Sequence, residues 1–162
     1  MATCYIGIGS NLGEPIAQAK QAIAALSHID KTQLTNVSSL YGSKPMGPSD
    51  QPNYVNAVAK LETQLTPIKL LDALQHIELH QGRVRKDERW GPRTLDLDIL
   101  LIDDSTIDHP RLTVPHYGMR EREFVLYPLF EISPDLTLSD GVALTQLIQA
   151  CPRNGLEIID NA

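Results

Sequence analysis

The run Leu95-Asp96-Leu97-Asp98-Ile99 alternates apolar and acidic side chains. That is the pattern of an extended strand, whose side chains point to opposite faces in turn. Leu95, Leu97 and Ile99 then face a core, and Asp96 and Asp98 share the other face with Cα atoms about 6.6 Å apart. Two carboxylates placed this way repel, and each raises the other's pKa unless a cation lies between or beside them. Magnesium suits such a site, because it takes a few carboxylate oxygens and completes its shell with water and phosphate oxygens. For a D-x-D pair alone, a solvated strand face is the plain alternative.

The residues just upstream weigh against that alternative. Between Arg83 and Arg93 five Lys/Arg stand against Asp87 and Glu88, a net +3 in a chain of −6, which leaves −9 for everything else. The positive charge is local, and it ends in Arg89-Trp90-Gly91-Pro92-Arg93-Thr94 directly before the acidic strand. A cationic loop beside paired carboxylates reads as a site for a polyphosphate and its metal.

Composition bounds the rest. A chain of 162 residues, 42% hydrophobic and 21% charged, is of a size and kind to form one globular domain, expected over residues 1–162. No apolar run approaches the ~20 residues needed to span a bilayer, and Met1-Ala2-Thr3-Cys4-Tyr5 lacks the basic start and apolar stretch of a signal peptide. No membrane association or secretion is expected. Cys4 and Cys151 lie near opposite ends without ligand spacing, so free thiols in a reducing cytoplasm are expected. A pI near 5.3 argues against nucleic acid as a partner, since such binding needs a broad basic face.

Along the chain, Tyr5–Ile8 reads as a first strand and Gly9-Ser10-Asn11-Leu12-Gly13 as the turn after it. Pro15 suits the first position of a helix with Ile16, Ala19, Ile23 and Leu26 on its apolar face, running to about His28. β-rich segments follow at about Leu34 to Tyr41 and Tyr54 to Glu62, joined by a Pro-rich connection from Ser43 to Pro52 that is too long for a tight hairpin. A second helix starts at Thr66 and Pro67, carries Leu70, Leu71, Leu74 and Ile77, and is expected to stop at Gly82. The order with the Asp strand is βαββαβ. This is the α+β class: a ferredoxin-like α/β sandwich, an antiparallel sheet with helices on one face and the other face open for a site. The C-terminal extension beyond about Ser105 adds a turn at His109-Pro110, an Arg-rich helix start and a last helix near Val142 to Ala150.

Other patterns carry less. Gly7-x-Gly9-x-x-x-Gly13 misses the dinucleotide fingerprint by one position, and no P-loop string occurs. His76 and His80 are one helical turn apart, yet no third zinc ligand is evident, so surface helix positions are the better explanation. Gln75 and Glu78 share a helix face, either for a site or as ordinary amphipathicity. Tyr54 and Asn56 point the same way from one strand, where they could hold a flat heterocycle or simply line a half-buried sheet face.

Taken together, Gly9-Ser10-Asn11, Gln51-x-x-Tyr54-x-Asn56, Ile77-Glu78-x-x-x-Gly82-Arg83-x-Arg85, Arg89-Trp90-Gly91-Pro92-Arg93-Thr94-x-Asp96-x-Asp98-Ile99, Pro115-His116 and Arg122-x-Phe124-x-Leu126 resemble the 6-hydroxymethyl-7,8-dihydropterin pyrophosphokinases of folate synthesis. The resemblance runs from Tyr5 to about Asp140. It implies a cytoplasmic, monomeric, single-domain transferase that passes pyrophosphate from ATP to the pterin hydroxymethyl and releases AMP. It implies two Mg²⁺ ions on Asp96 and Asp98, and catalytic roles for Arg83 and Arg93 on the phosphoryl oxygens. Gln75, Glu78, Arg85, Trp90, Ile99, Arg111, Thr113, His116, Tyr117 and Arg122 would line the ATP site. Ser43, Pro45, Met46, Tyr54, Asn56, Asp96 and Phe124 would form the pterin pocket, with Tyr54 and Phe124 on opposite ring faces. Ser43 stands where Thr is usual and Tyr117 where many members have Pro; neither removes chemistry. A nucleotide sensor and a kinase moving only the γ-phosphoryl are the rivals, and the nucleotide product separates them.

Overall fold

A computed structural model describes residues 1–11, 14–43, 54–82 and 95–162. One sheet organises them. Its strands β1 (Ala2–Ser10), β2 (Thr32–Val37), β3 (Leu40–Ser43), β4 (Tyr54–Thr63) and β5 (Leu95–Ile102) interleave with helices α1 (Pro15–Leu26) and α2 (Pro67–Ile77). The spatial order is β5-β1-β4-β3, all antiparallel, with β2 also on β4. The expected βαββαβ core is therefore present, with both of its helices on one face.

Local signals explain the helices. In α2, Thr66 Oγ1 accepts from the Lys69 N–H at 3.3 Å, Pro67 takes the first turn, and Leu70, Leu71, Leu74 and Ile77 are buried as the spacing predicts. Beyond Ile77 the chain does not stop at a simple cap; it widens into a π-helical turn over Glu78–Gly82, a local geometry common beside functional sites. His76 and His80 meet there edge to face, 4.2 Å between centroids, and no metal-ligand cluster forms among the described residues. In α1 the buried stripe is Ala19, Ala22, Ile23 and Leu26, small enough at two positions for close approach to the sheet. Ile16, expected in that stripe, is exposed.

Three other features depart from the expectation. The first strand, read to Ile8, continues through Gly9 to Ser10, so Gly9 belongs to the strand with Gly7 and not to the turn after it. The single β-segment expected at 34–41 is two strands broken at Ser38–Ser39, where the Val58 N–H donates to Ser38 Oγ at 2.9 Å and the Ser38 N–H to the Val58 carbonyl at 2.9 Å. The Ser38 hydroxyl thus replaces a lost ladder bond, and both halves keep β4 as partner.

The third is the most consequential. The extension forms a hairpin of β6 (Ile107–His109) and β7 (Leu112–Val114), then α3 (Glu123–Ile132), α4 (Leu144–Ala150) and β8 (Glu157–Asp160). Helix α3 packs Val125, Leu126 and Leu129 against Tyr5, Val58 and Leu100, a second core on the face the sequence left open. This explains why β5 alternates buried and exposed from Leu95 to Ile99 but is buried at every position from Leu100 to Ile102. Glu131 of α3 accepts from Ser39 and from Tyr41 Oη at 2.6 Å, which fixes the helix over the β2–β3 break. Burial and that bond push the Tyr41 phenol above its usual range. No described residue packs over the remaining half of this face, and the Asp strand lies under it.

Candidate active site

The floor of the site is set by strand register. Asp98 pairs with Gly7 and Asp96 with Gly9 across β5 and β1, and Gly9 pairs with Asn56 across β1 and β4. Glycine matters here for what it leaves out. A Cβ on Gly7 would lie 3.3 Å from Leu100 Cδ2, and one on Gly9 3.3 Å from Asn56 Oδ1, so any side chain would press on neighbouring side chains and fill the floor between the carboxylates and Asn56.

Above this floor is a cavity of about 1020 Å³ that reaches from Asp96 and Asp98 across Gly7 and Gly9 to Asn56 and Tyr54, with Glu123 and Phe124 of α3 and Arg122 just before it as its wall. Asn56 is buried, while Tyr54 is 50% exposed, an unusual state for an aromatic ring on a strand and one that suits a stacking surface. A second cavity of about 330 Å³ lies on the other side of β5, between the end of α2 and the β6–β7 hairpin. Gln75, Glu78, Ile99, Arg111, Thr113 and Tyr117 line it. Asp96, Asp98 and His116 border both cavities.

The partners of these side chains are specific. Glu78 Oε2 accepts from the Leu97 N–H at 2.8 Å, so the carboxylate grips β5 between the two aspartates. Arg111 Nη2 donates to Asp72 Oδ1 at 2.6 Å and to Gln75 Oε1 at 3.0 Å, which aims the guanidinium along the small cavity. Asp72 was not foreseen in this role. Arg122 lines the large cavity and lies 5.7 Å from the ring centroids of both Tyr117, which lines the small one, and Phe124, although the family resemblance implies the ATP side alone. It rests against Gly118, where a Cβ would come within 2.8 Å of its guanidinium carbon.

His116 follows the cis Val114–Pro115 bond. Its backbone N–H donates to the Leu100 carbonyl at 3.0 Å, and its ring Nδ1 accepts from the Gly118 N–H at 3.1 Å, so the neutral ring carries its proton on Nε2. Burial holds its pKa below the ordinary imidazole value, with Arg122 adding to that and the Asp98 carboxylate opposing it. The result is a neutral N–H donor between the cavities at physiological pH.

Of the remaining expected residues, Pro45, Met46, Arg83, Arg85, Trp90 and Arg93 lie outside the described residues, and of Ser43 only the backbone is described. Among lining residues that were not assigned a role, Ser10, Asn11 and Glu123 join Asn154 of the C-terminal tail in the large cavity. Only Ser10 and Asn11 had a signal, the Gly-Ser-Asn string.

The carboxylate geometry fits magnesium. Among the described residues no group of three or more acidic, His or Cys side chains is placed to hold a metal. Two aspartates on an open face, beside room for a phosphate chain, match an ion that keeps water and substrate oxygens. Among the described residues lining the small cavity, Glu78, Asp96 and Asp98 outweigh Arg111, so a polyphosphate there calls for positive charge beyond these residues.

Comparison with known proteins agrees with this reading. Residues 5–134 match the sequence model of the 7,8-dihydro-6-hydroxymethylpterin-pyrophosphokinases. The chain belongs to this family. A 2-amino-4-hydroxy-6-hydroxymethyldihydropteridine pyrophosphokinase from Pseudomonas aeruginosa is 56% identical over 98% of this chain and 97% of its own. One from Haemophilus influenzae is 56% identical over 92% of both chains. A crystal structure of HPPK-DHPS in complex with substrates matches with a TM-score of 0.72 at 12% identity, over 93% of this chain and 45% of that one, a likeness of fold. The chain is accordingly a pyrophosphokinase of folate biosynthesis.

Proposed function

We propose that the two cavities are the two substrate sites of this pyrophosphokinase, the large one for 6-hydroxymethyl-7,8-dihydropterin and the small one for ATP. The observation that carries the proposal is that they meet at the same three residues, Asp96, Asp98 and His116. A pterin held between Tyr54 and Phe124 presents its hydroxymethyl group to the aspartates, and a nucleotide between Gln75, Arg111 and Thr113 presents its phosphates to them from the other side. The hydroxymethyl oxygen then bonds to the β-phosphorus, the bridge to the α-phosphate breaks, the hydroxyl proton is released and AMP leaves.

Asp96 and Asp98 would hold the two Mg²⁺ ions. When bound, magnesium neutralises charge on the triphosphate and aligns it for in-line attack. The chain's own residues do the rest. Glu78 keeps the spacing of the aspartates by fixing the backbone between them. His116 donates from Nε2 without adding a full charge, and Arg122 adds one at the seam. Asn56, buried beside Gly9, reads the polar edge of the heterocycle by donating and accepting. Arg83 and Arg93 supply charge on the transferring group, with Arg85 and Trp90 on the nucleotide side and Ser43, Pro45 and Met46 on the pterin side.

We further propose that the chain acts as a monomer in the cytoplasm and as one catalytic domain. Two buried, free cysteines suit a reducing compartment, and burial pushes the Cys4 thiol up to about 12, which keeps it unreactive. No helix among the described residues is long and apolar enough to cross a membrane. One main sheet with a core on each face supports the one-domain reading.

Replacing Tyr54 or Phe124 by Ala tests the assignment of the cavities. Each substitution should weaken pterin binding by roughly 1 to 3 kcal/mol, the scale of base-on-aromatic stacking, and leave Mg-ATP affinity nearly unchanged. Titration calorimetry with each ligand separates the two. Equal losses for both ligands would make these rings packing groups and reverse the assignment.

A further inference from the structure

The C-terminal tail returns to the large cavity, and we infer that Asn154 is a further substrate-binding residue, contacting the pyrimidine edge of the pterin. The inference rests on the assignment of that cavity to the pterin. Strand β8 pairs with β3, Gly42 opposite Glu157, so the chain just before β8 lies beyond the end of β3, where Ser43 pairs with Tyr54. There Arg153-Asn154-Gly155-Leu156 makes a tight turn closed by the Leu156 N–H on the Arg153 carbonyl at 3.0 Å. Asn154 at φ 54° and Gly155 at φ 84° are the two central residues, the positive-φ pair of a type I′ turn. The turn sets Asn154 on the rim of the cavity.

The turn is held firmly for a chain end. Tyr127 Oη of α3 donates to the Cys151 carbonyl at 2.6 Å, and the Arg153 guanidinium lies 4.9 Å over the same Tyr127 ring. Arg153 Nε also donates to the Leu156 carbonyl at 3.1 Å, and Leu156 is buried. With the backbone of the turn held, only the Asn154 side chain itself has to be ordered when it meets a ligand.

Its location selects the edge it would read. The hydroxymethyl group must lie by Asp96 and Asp98 on β5, and neighbouring strands are about 4.8 Å apart, so the ring crosses β1 and reaches β4 about 10 Å away. The far edge of the bicycle, with its lactam N–H and carbonyl, is then directed toward Tyr54 and the tail. A carboxamide both donates and accepts, which matches that adjacent donor and acceptor.

Turn chemistry alone would also favour Asn at this position, and Asn154→Gly separates the two roles because glycine keeps the positive φ and removes only the carboxamide. The full chain is titrated with 6-hydroxymethyl-7,8-dihydropterin in the presence of a non-hydrolysable ATP analogue and Mg²⁺, beside Tyr54→Ala. The inference expects Asn154→Gly to weaken pterin binding about tenfold, the scale of one hydrogen bond lost, with affinity for the analogue and melting temperature unchanged. Unchanged pterin affinity in Asn154→Gly, with a clear loss in Tyr54→Ala, overturns this inference and leaves the cavity assignment standing. No loss in either variant overturns both. A lowered melting temperature with both ligands weakened makes Asn154 a turn residue only, and also overturns it.

Discussion

Asp96→Ala and Asp98→Ala should each lower kcat by at least ~100-fold, because each strips a carboxylate from the point where the two cavities meet and where phosphate charge must be neutralised. Folding should survive. Both side chains are exposed on the open half of the sheet, opposite Gly7 and Gly9, and neither is packed into a core. Two like charges carried on Cα atoms about 6.6 Å apart repel, so removing one offsets much of whatever local bonding it made. The melting temperature should stay within about 3 °C of the parent, the scale of 1 kcal/mol for a chain of this size. Steady-state kinetics and a thermal melt check both halves. A large fall in melting temperature with modest loss of kcat would make the pair structural.

Leu126→Ala should do the reverse. Leu126 is fully buried in α3, within the core that also holds Tyr5, Val58, Leu100 and Leu129. Truncation leaves a cavity that a helix anchored through Glu131 cannot collapse to fill, at a cost of about 3 kcal/mol. That corresponds to a fall of roughly 6 to 12 °C in melting temperature. Well below that temperature most turnover should remain, because Arg122 and Phe124 stand at the start of the helix and keep their own contacts. A melting temperature unchanged by the substitution would mean that α3 is not held by this core, and the wall of the large cavity would need another explanation.

These variants mark what the sequence made legible and what it did not. The Asp strand, the second helix and the βαββαβ order could be read because each rests on local rules: alternation for Asp96 and Asp98, Thr66 and Pro67 at a helix start, Leu70 to Ile77 on one stripe. What escaped depends on contacts distant in sequence. Nothing in Glu123–Ile132 says which face of the sheet it will cover, so the sandwich gained a second core that the pattern alone could not show. Gly9 looked like a turn residue because glycine is rare inside strands; the reason for it and for Gly7 is the space they leave beside Asp96 and Asp98, visible only once the register is known. Asp72, through its bond to Arg111, and Asn154, through the return of the tail, joined the site by the same kind of long-range placement. The Arg-rich loop, the strongest sequence signal after the aspartates, lies outside the described residues from 83 to 94.

The most direct measurement of the central claim is the nucleotide product. Purified protein is incubated with ATP, Mg²⁺ and 6-hydroxymethyl-7,8-dihydropterin, the reaction is quenched, and nucleotides and pterins are separated by chromatography. Attack at the β-phosphorus, with both substrates meeting at Asp96 and Asp98, predicts AMP in a one-to-one ratio with pterin diphosphate. ADP as the main product, or no turnover of the reduced pterin, would contradict it.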